Sequence, residues 1–293
     1  MRALSWSRVG LFVTMCFIGA ACSGQGGGEA GSSEPAAVES PTSQTGGSDA
    51  ELGIIEGNFD VGGYELYMRC SGTGSPTVVY LHGYIDDPSF SGSSSALTIQ
   101  SMLEDRYRVC VYDRANVGES DSVPGPLDGE SSVADLHGLL DAAGVEPPYV
   151  LLAASFGGLI AHIYSATYPD EVVGMVYLDS SLPADVAEID ERFFPGEKTL
   201  SDWREPGEQV DQYATYAQAY ALEEDAPKIP LTFLASFDLP PEPEIAKAVR
   251  AGQREYTDMF SPGKFIELDV PHYMEPEIPQ RIAEEVEKVI AEA

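Results

Sequence analysis

The 293-residue chain is 43% hydrophobic and 10% aromatic, a balance that supports a packed globular core and excludes a wholly disordered or collagen-like chain. Its 48 acidic and 16 basic residues leave a formal charge of −32, a field that repels polyanions, so nucleic acid is excluded as a partner. The acids are scattered as on a solvated surface, and no cysteine or histidine cluster has metal-ligand spacing; no metal and no organic cofactor are expected.

The N-terminal stretch differs in kind from the rest. Arg2 and Arg8 precede an apolar run from Val9 to Ala21 that is too short to span a bilayer comfortably, which gives 1–21 the character of a secretory signal. It ends in Ile18-Gly19-Ala20-Ala21-Cys22, which resembles a bacterial lipobox with Gly19 where a larger apolar residue is usual. The resemblance implies cleavage before Cys22 and lipid attachment to it, on the outer side of the cell membrane; a plain signal peptide and a secreted protein are the alternative. Residues 22–51 are Gly, Ser, Glu, Pro and Thr with little to bury, the composition of a flexible tether. One domain, expected to be monomeric, follows over 52–293.

Short runs rich in Val, Tyr, Leu and Phe predict strands at 64–69, 77–81, 108–112, 149–153, 173–178, 229–235 and 264–268. If the first runs antiparallel to the third, Cys70 lies near Cys110 and an exported protein can join them as a disulfide. The strand 77–81 ends in His82-Gly83-Tyr84, a loop that can aim the Tyr84 N–H at a reacting group, with His82 holding the loop by hydrogen bonds. The polar stretch Ile85 to Ser95 follows as one rim of a pocket. Val133, Leu136, Leu140 and Ala143 share one helical face, as do Ile278, Ile282, Val286 and Val289. Strands alternating with helices predict an α/β fold, with a mostly parallel sheet covered on both sides and ligands bound beyond the strand carboxyl ends.

The strand 149–153 runs into Ala154-Ser155-Phe156-Gly157-Gly158, a strand-to-helix turn crowded with small residues. A serine on so sharp a turn is lifted out of the sheet, and Ala153 and Gly157 flank it where GxSxG has two glycines. The Phe156 N–H at the helix start would join that of Tyr84 in an oxyanion hole. Together with His82-Gly83 and the stretch Asp113-Arg114-Ala115-Asn116-Val117-Gly118-Glu119-Ser120, this turn makes 52–293 resemble the lipase- and esterase-like branch of the α/β-hydrolase family. Asn116 replaces the first glycine of that branch's DRxGxGxS pattern, a mild departure because Asn tolerates left-handed backbone.

The resemblance implies a serine, acid and histidine in that chain order. Ser155 is the nucleophile. His272, in the turn Val270-Pro271-His272-Tyr273 before the last helix, is the base; His137 and His162 lie within helices and point elsewhere. Asp238, after the strand 229–235, occupies the usual place of the acid, although Ala235-Ser236-Phe237-Asp238 lacks the customary glycine and its spacing is one residue short. Asp179, ending the strand 173–178, is the reserve, and Asp269 is a loop residue. The stretch 183–228, with Phe193, Phe194, Trp203, Tyr213, Tyr216 and Tyr220, reads as a small helical cap over the serine. The implied reaction is hydrolysis of a small ester, thioester or amide through an acyl-enzyme. An inactive binding or signalling lipoprotein and a cofactor-free perhydrolase-like enzyme are the alternatives.

Overall fold

The computed structural model describes residues 53–185, 207–240 and 242–293. The expected leader, the expected tether with Cys22, and Phe193, Phe194 and Trp203 of the expected cap lie outside the described residues. Eight strands form one sheet: β1 (Ile55–Asp60), β2 (Glu65–Ser71), β3 (Thr77–Leu81), β4 (Val109–Tyr112), β5 (Tyr149–Ala154), β6 (Val172–Leu178), β7 (Leu231–Ala235) and β8 (Gly263–Glu267). Their order is β1-β2-β4-β3-β5-β6-β7-β8; β1, β2 and β4 pair antiparallel and all other neighbours pair parallel. Each expected strand is present with its ends moved by at most two residues. The extra edge strand β1 has no apolar run; it is defined by a hairpin in which Asp60 Oδ1 accepts from the Gly62 and Gly63 amides at 2.8 Å each.

Strands β3 to β7 are buried almost throughout because helices cover both faces, so they read as continuous apolar runs without alternation. Alternation appears in what each side chain packs on. Val78, Tyr80, Val150, Leu152, Val176 and Leu178 meet α1 (Leu97–Leu103) and α6 (Pro279–Glu292) through Ile99, Leu103, Ile282, Val286 and Val289. Val79, Leu81, Leu151, Ala153, Met175 and Tyr177 face the opposite layer, built from α2 (Gly129–Ala142), α3 (Gly157–Thr167) and α4 (Gln212–Ala221), with Tyr256 of α5 (Pro243–Asp258). Helix α2 begins on a capping box in which Asp128 accepts from the Ser131 amide, and it buries Val133, Leu136, Leu139 and Leu140. Truncating any of these leucines to alanine in such a core costs about 2–5 kcal/mol.

The chain leaves β3 for β4 on one side and β5 for β6 on the other, so the crevice between the carboxyl ends of β3 and β5 is the switch point of the sheet, where open α/β sheets bind ligands. On the β4 side of β3, Cys70 of β2 lies directly opposite Cys110 of β4, with Cα atoms 4.0 Å apart, and the two are joined as a disulfide. The bond ties strands separated by 40 residues of sequence. Replacing both cysteines with serine is expected to lower unfolding stability by about 2–4 kcal/mol. Urea unfolding under oxidising conditions measures the loss; equal midpoints for the variant and the wild type would contradict it.

Candidate active site

Ser155 stands between β5 and α3 with φ of +49°, the left-handed backbone that a strand-to-helix elbow imposes on its central residue. The turn is fixed from both sides: the Ser155 amide donates to Leu178 O at 3.0 Å, and Ser155 O accepts from the Gly158 and Ser181 amides at 2.9 Å each. A Cβ on Gly157 would collide with the Leu81 carbonyl, and one on Gly158 with the Ser180 side chain, which is why the turn carries glycines there. The methyl group of Ala153, in the place of the lost glycine, is accommodated in the buried layer between Leu81 and Tyr177.

A relay of hydrogen bonds starts at this serine. His272 Nε2 lies 3.0 Å from Ser155 Oγ, and His272 Nδ1 lies 2.7 Å from Asp179 Oδ2. With Nδ1–H donated to the carboxylate, Nε2 is left to accept the serine proton. Asp179 directly follows β6 and also has left-handed backbone, φ +42°. Its carboxylate is held in turn by Ser236, which donates its amide to Oδ1 at 3.0 Å and its hydroxyl to Oδ2 at 2.7 Å. Burial raises the Asp179 pKa, but the hydrogen bonds from His272 and Ser236 outweigh it and hold the carboxyl below its ordinary value. The hydrogen bond to Asp179 likewise raises the His272 pKa above its ordinary 6.5, against the opposing effect of burial.

The expectation that Asp238 supports the imidazole is therefore corrected. Asp238 Oδ2 accepts from the main-chain amide of His272 at 2.7 Å, while Asp179 takes the ring. The two carboxylates stand on adjacent strands, and the short spacing of Ala235-Ser236-Phe237-Asp238 leaves Asp238 beside the backbone of the histidine loop. Ser236, where the customary glycine is missing, ties the two acids together: its hydroxyl also accepts from the Asp238 amide at 3.0 Å. Asp269 is exposed on its loop. His137 stacks on Tyr168 at 4.1 Å, and His162 is buried with Nδ1 2.8 Å from the Tyr256 hydroxyl, so neither belongs to the relay.

His82 is fully buried and structural in its contacts. Its Nδ1 donates to Gly83 O at 2.7 Å and its Nε2 accepts from the Arg114 amide at 3.3 Å; burial pushes its pKa well down and nearby Arg114 adds to the effect, keeping the ring neutral. Gly83 abuts the elbow: a Cβ there would lie 3.1 Å from Ser155 Cβ. Tyr84 and Phe156, the expected oxyanion donors, meet edge-on with ring centroids 6.4 Å apart. The stretch after them is pinned from below by buried Asp113, whose Oδ1 accepts from Ser91 Oγ at 3.0 Å and from the Ser93 amide at 2.8 Å.

A buried pair lies beneath this loop: Arg114, from the stretch matched to DRxGxGxS, and Glu208, which no motif singles out. Arg114 and Glu208 are both buried, with Arg114 Nη2 2.8 Å from Glu208 Oε1. Burial lowers the Arg114 pKa, but the neighbouring carboxylate more than offsets it and keeps the guanidinium charged. In the expected cap, the described part includes α4, which packs on α2 and α3 with Tyr216 against the core and Tyr220 exposed. Among the described residues, no group of three or more His, Cys, Asp or Glu side chains is placed to hold a metal ion.

Residues 76–262 match the family model for the alpha/beta hydrolase fold, and the chain belongs to that family. It is similar to a proline iminopeptidase of Lactobacillus helveticus, 33% identical over 134 residues that make up 44% of this chain and 44% of that protein. The matched part spans less than half the length of the curated relatives it resembles. Among solved structures it resembles an esterase from Thermogutta terrifontis, with a TM-score of 0.55 and 21% identity over 80% of this chain and 98% of that one. It also resembles the enol-lactonase of Burkholderia xenovorans LB400, with a TM-score of 0.59 and 18% identity over 80% and 100%. At these identities the two structures show the shared fold.

The hydrogen bond between Asp179 and His272 sets the pH behaviour of the site. Because the partner stabilises the imidazolium, the neutral, proton-accepting ring predominates only above a pKa higher than 6.5. An NMR titration of the His272 ring is expected to give that raised value in the wild type and a lower one in Asp179→Asn, with a smaller change in Asp238→Asn. The reverse ranking would contradict the assignment of the ring partner.

Proposed function

We propose that the protein is a serine hydrolase that cleaves a carboxylic ester through an acyl-enzyme, with Ser155 as nucleophile, His272 as general base and Asp179 as the acid. The observation that carries this reading is the unbroken chain from Ser155 Oγ to His272 Nε2 and from His272 Nδ1 to Asp179 Oδ2. In the first half-reaction His272 takes the proton of Ser155 as Oγ bonds to the substrate carbonyl carbon. It then passes that proton to the leaving alkoxide as the bond between carbonyl carbon and leaving group breaks. Water repeats the sequence on the acyl-serine, releasing the acid and restoring Ser155. Asp179 keeps the imidazole in one tautomer and stabilises the imidazolium without itself taking the proton. The Tyr84 and Phe156 amides receive the developing oxyanion.

A thioester or amide passes through the same steps, and the similarity to a proline iminopeptidase favours including aminoacyl amides among the candidate substrates. An inactive binding protein would have no need of two left-handed residues, Ser155 and Asp179, facing a histidine. The lipobox-like sequence supports attachment of the domain outside the membrane through a lipid on Cys22.

Wild-type protein is expected to label with a fluorophosphonate probe and to hydrolyse p-nitrophenyl esters, and Ser155→Ala to lose both, with kcat down on the order of 10⁶. Asp179→Asn is expected to lower kcat by about 10⁴, and Asp238→Asn by less than about 10-fold. Equal labelling of Ser155→Ala, or the opposite order of the two aspartate variants, would overturn these roles. Metabolic labelling with a fatty-acid analogue tests the anchor: the label is expected on wild type and absent from Cys22→Ser, and an unlabelled wild type refutes the anchor.

A further inference from the structure

The buried pair Arg114–Glu208 lies under both expected oxyanion donors. Arg114 Nη1 donates to His82 O and Nη2 to Gly83 O, each at 2.7 Å, and the guanidinium stands over the Phe156 ring, 5.5 Å from its centroid. Glu208 receives the same guanidinium at both of its oxygens and also accepts the Ile85 amide at 2.8 Å. The carboxylate thus holds the loop just beyond Tyr84 while the guanidinium holds it just before. In a trans peptide the N–H points opposite to the C=O, so fixing the Gly83 carbonyl on Arg114 and His82 also fixes the direction of the Tyr84 N–H.

Glu208 comes from the segment between β6 and β7, far in sequence from the loop it holds, and that segment is itself sewn in place. The Asn116 side-chain amide donates to Glu208 O at 3.1 Å, Leu127 pairs with Val210, and a Cβ on Gly207 would collide with the Ile85 carbonyl. Two full charges buried together are costly unless hydrogen bonds satisfy them, and here three bonds join the pair while three more run to His82 O, Gly83 O and the Ile85 amide of the 82–85 loop. A hydrophobic pair would fill the same space without directing those carbonyls.

We propose that Glu208, acting through Arg114, is a positioning residue that sets the direction of the Tyr84 amide and couples the inserted segment to oxyanion stabilisation. The inference rests on the hydrolase reading above. It predicts a loss in the chemical step and not in substrate binding, since neither side chain is exposed.

The test compares Glu208→Gln, Glu208→Asp and Arg114→Lys with wild type in the full chain, counting competent sites by endpoint fluorophosphonate labelling. Kinetics are measured with p-nitrophenyl acetate and with its thiono analogue, whose sulfur accepts hydrogen bonds poorly and so gains less from a well-aimed amide. Glu208→Gln is expected to lower kcat per labelled site about 10-fold and Arg114→Lys about 10²-fold, with KM little changed. The rate ratio of oxo to thiono ester should shrink in both, and Glu208→Asp should recover part of it. Wild-type kcat per site and an unchanged ratio in the variants would overturn the proposal, as would failure of all three to fold, which would make the pair a folding element. If wild type itself neither labels nor turns over, the hydrolase reading fails first.

Discussion

Parallel pairing of β3, β5, β6 and β7 that keeps their carboxyl ends in register is the constraint from which the site follows. Leu81 stands opposite Ala153, Ala154 opposite Leu178, and Leu178 opposite Leu234. The strands therefore end together, and Ser155, Asp179 and Ser236, which follow β5, β6 and β7, emerge at one edge within hydrogen-bond reach of each other or of the histidine loop, with His82 following β3 at the same edge. A slip of one position in β6 would turn its side chains to the other layer and carry Asp179 away from His272. The core on both faces of the sheet is what makes such a slip costly.

Local strain and local charge are then placed where that edge can hold them. Ser155 and Asp179 both adopt left-handed backbone, which costs on the order of 1–3 kcal/mol each for such residues. Each is over-determined by neighbours: Ser155 by Leu178, Gly158 and Ser181, Asp179 by Leu234, Ser236 and His272. The same pattern governs the buried charges. Asp179 stays ionised because donors surround it, His82 stays neutral because burial and Arg114 disfavour its charge, and Arg114 stays charged because Glu208 is against it. Three ionisable groups in one small region hold different charge states, each set by its immediate partners.

Much of this was legible in the sequence because it is encoded locally. The central strands announce themselves as Val- and Leu-rich runs, and the elbow by small residues whose absence would cause collisions with Leu81 and Ser180. The Cys70–Cys110 bond followed from two strands and their direction. What was not legible depends on contacts between distant segments. Strand β1 is half exposed and carries no apolar run. The choice between Asp179 and Asp238 turns on which carboxylate reaches a ring and which a main-chain amide, the first residue after β6 against the third after β7. The missing glycine and short spacing before Asp238 were the only signals of it. Glu208 looked like one acid among many in an acidic stretch; only its pairing with Arg114 across 94 residues of sequence separates it from a surface charge.

In the proposed hydrolysis an acyl group passes through Ser155. Rapid quenching of wild-type protein during turnover of an activated ester, followed by peptide mass spectrometry, tests it most directly. The acyl mass is expected on the peptide containing Ser155, appearing before steady state and disappearing as substrate is consumed. Turnover with no acylated Ser155, or with the acyl group on another residue, would contradict it.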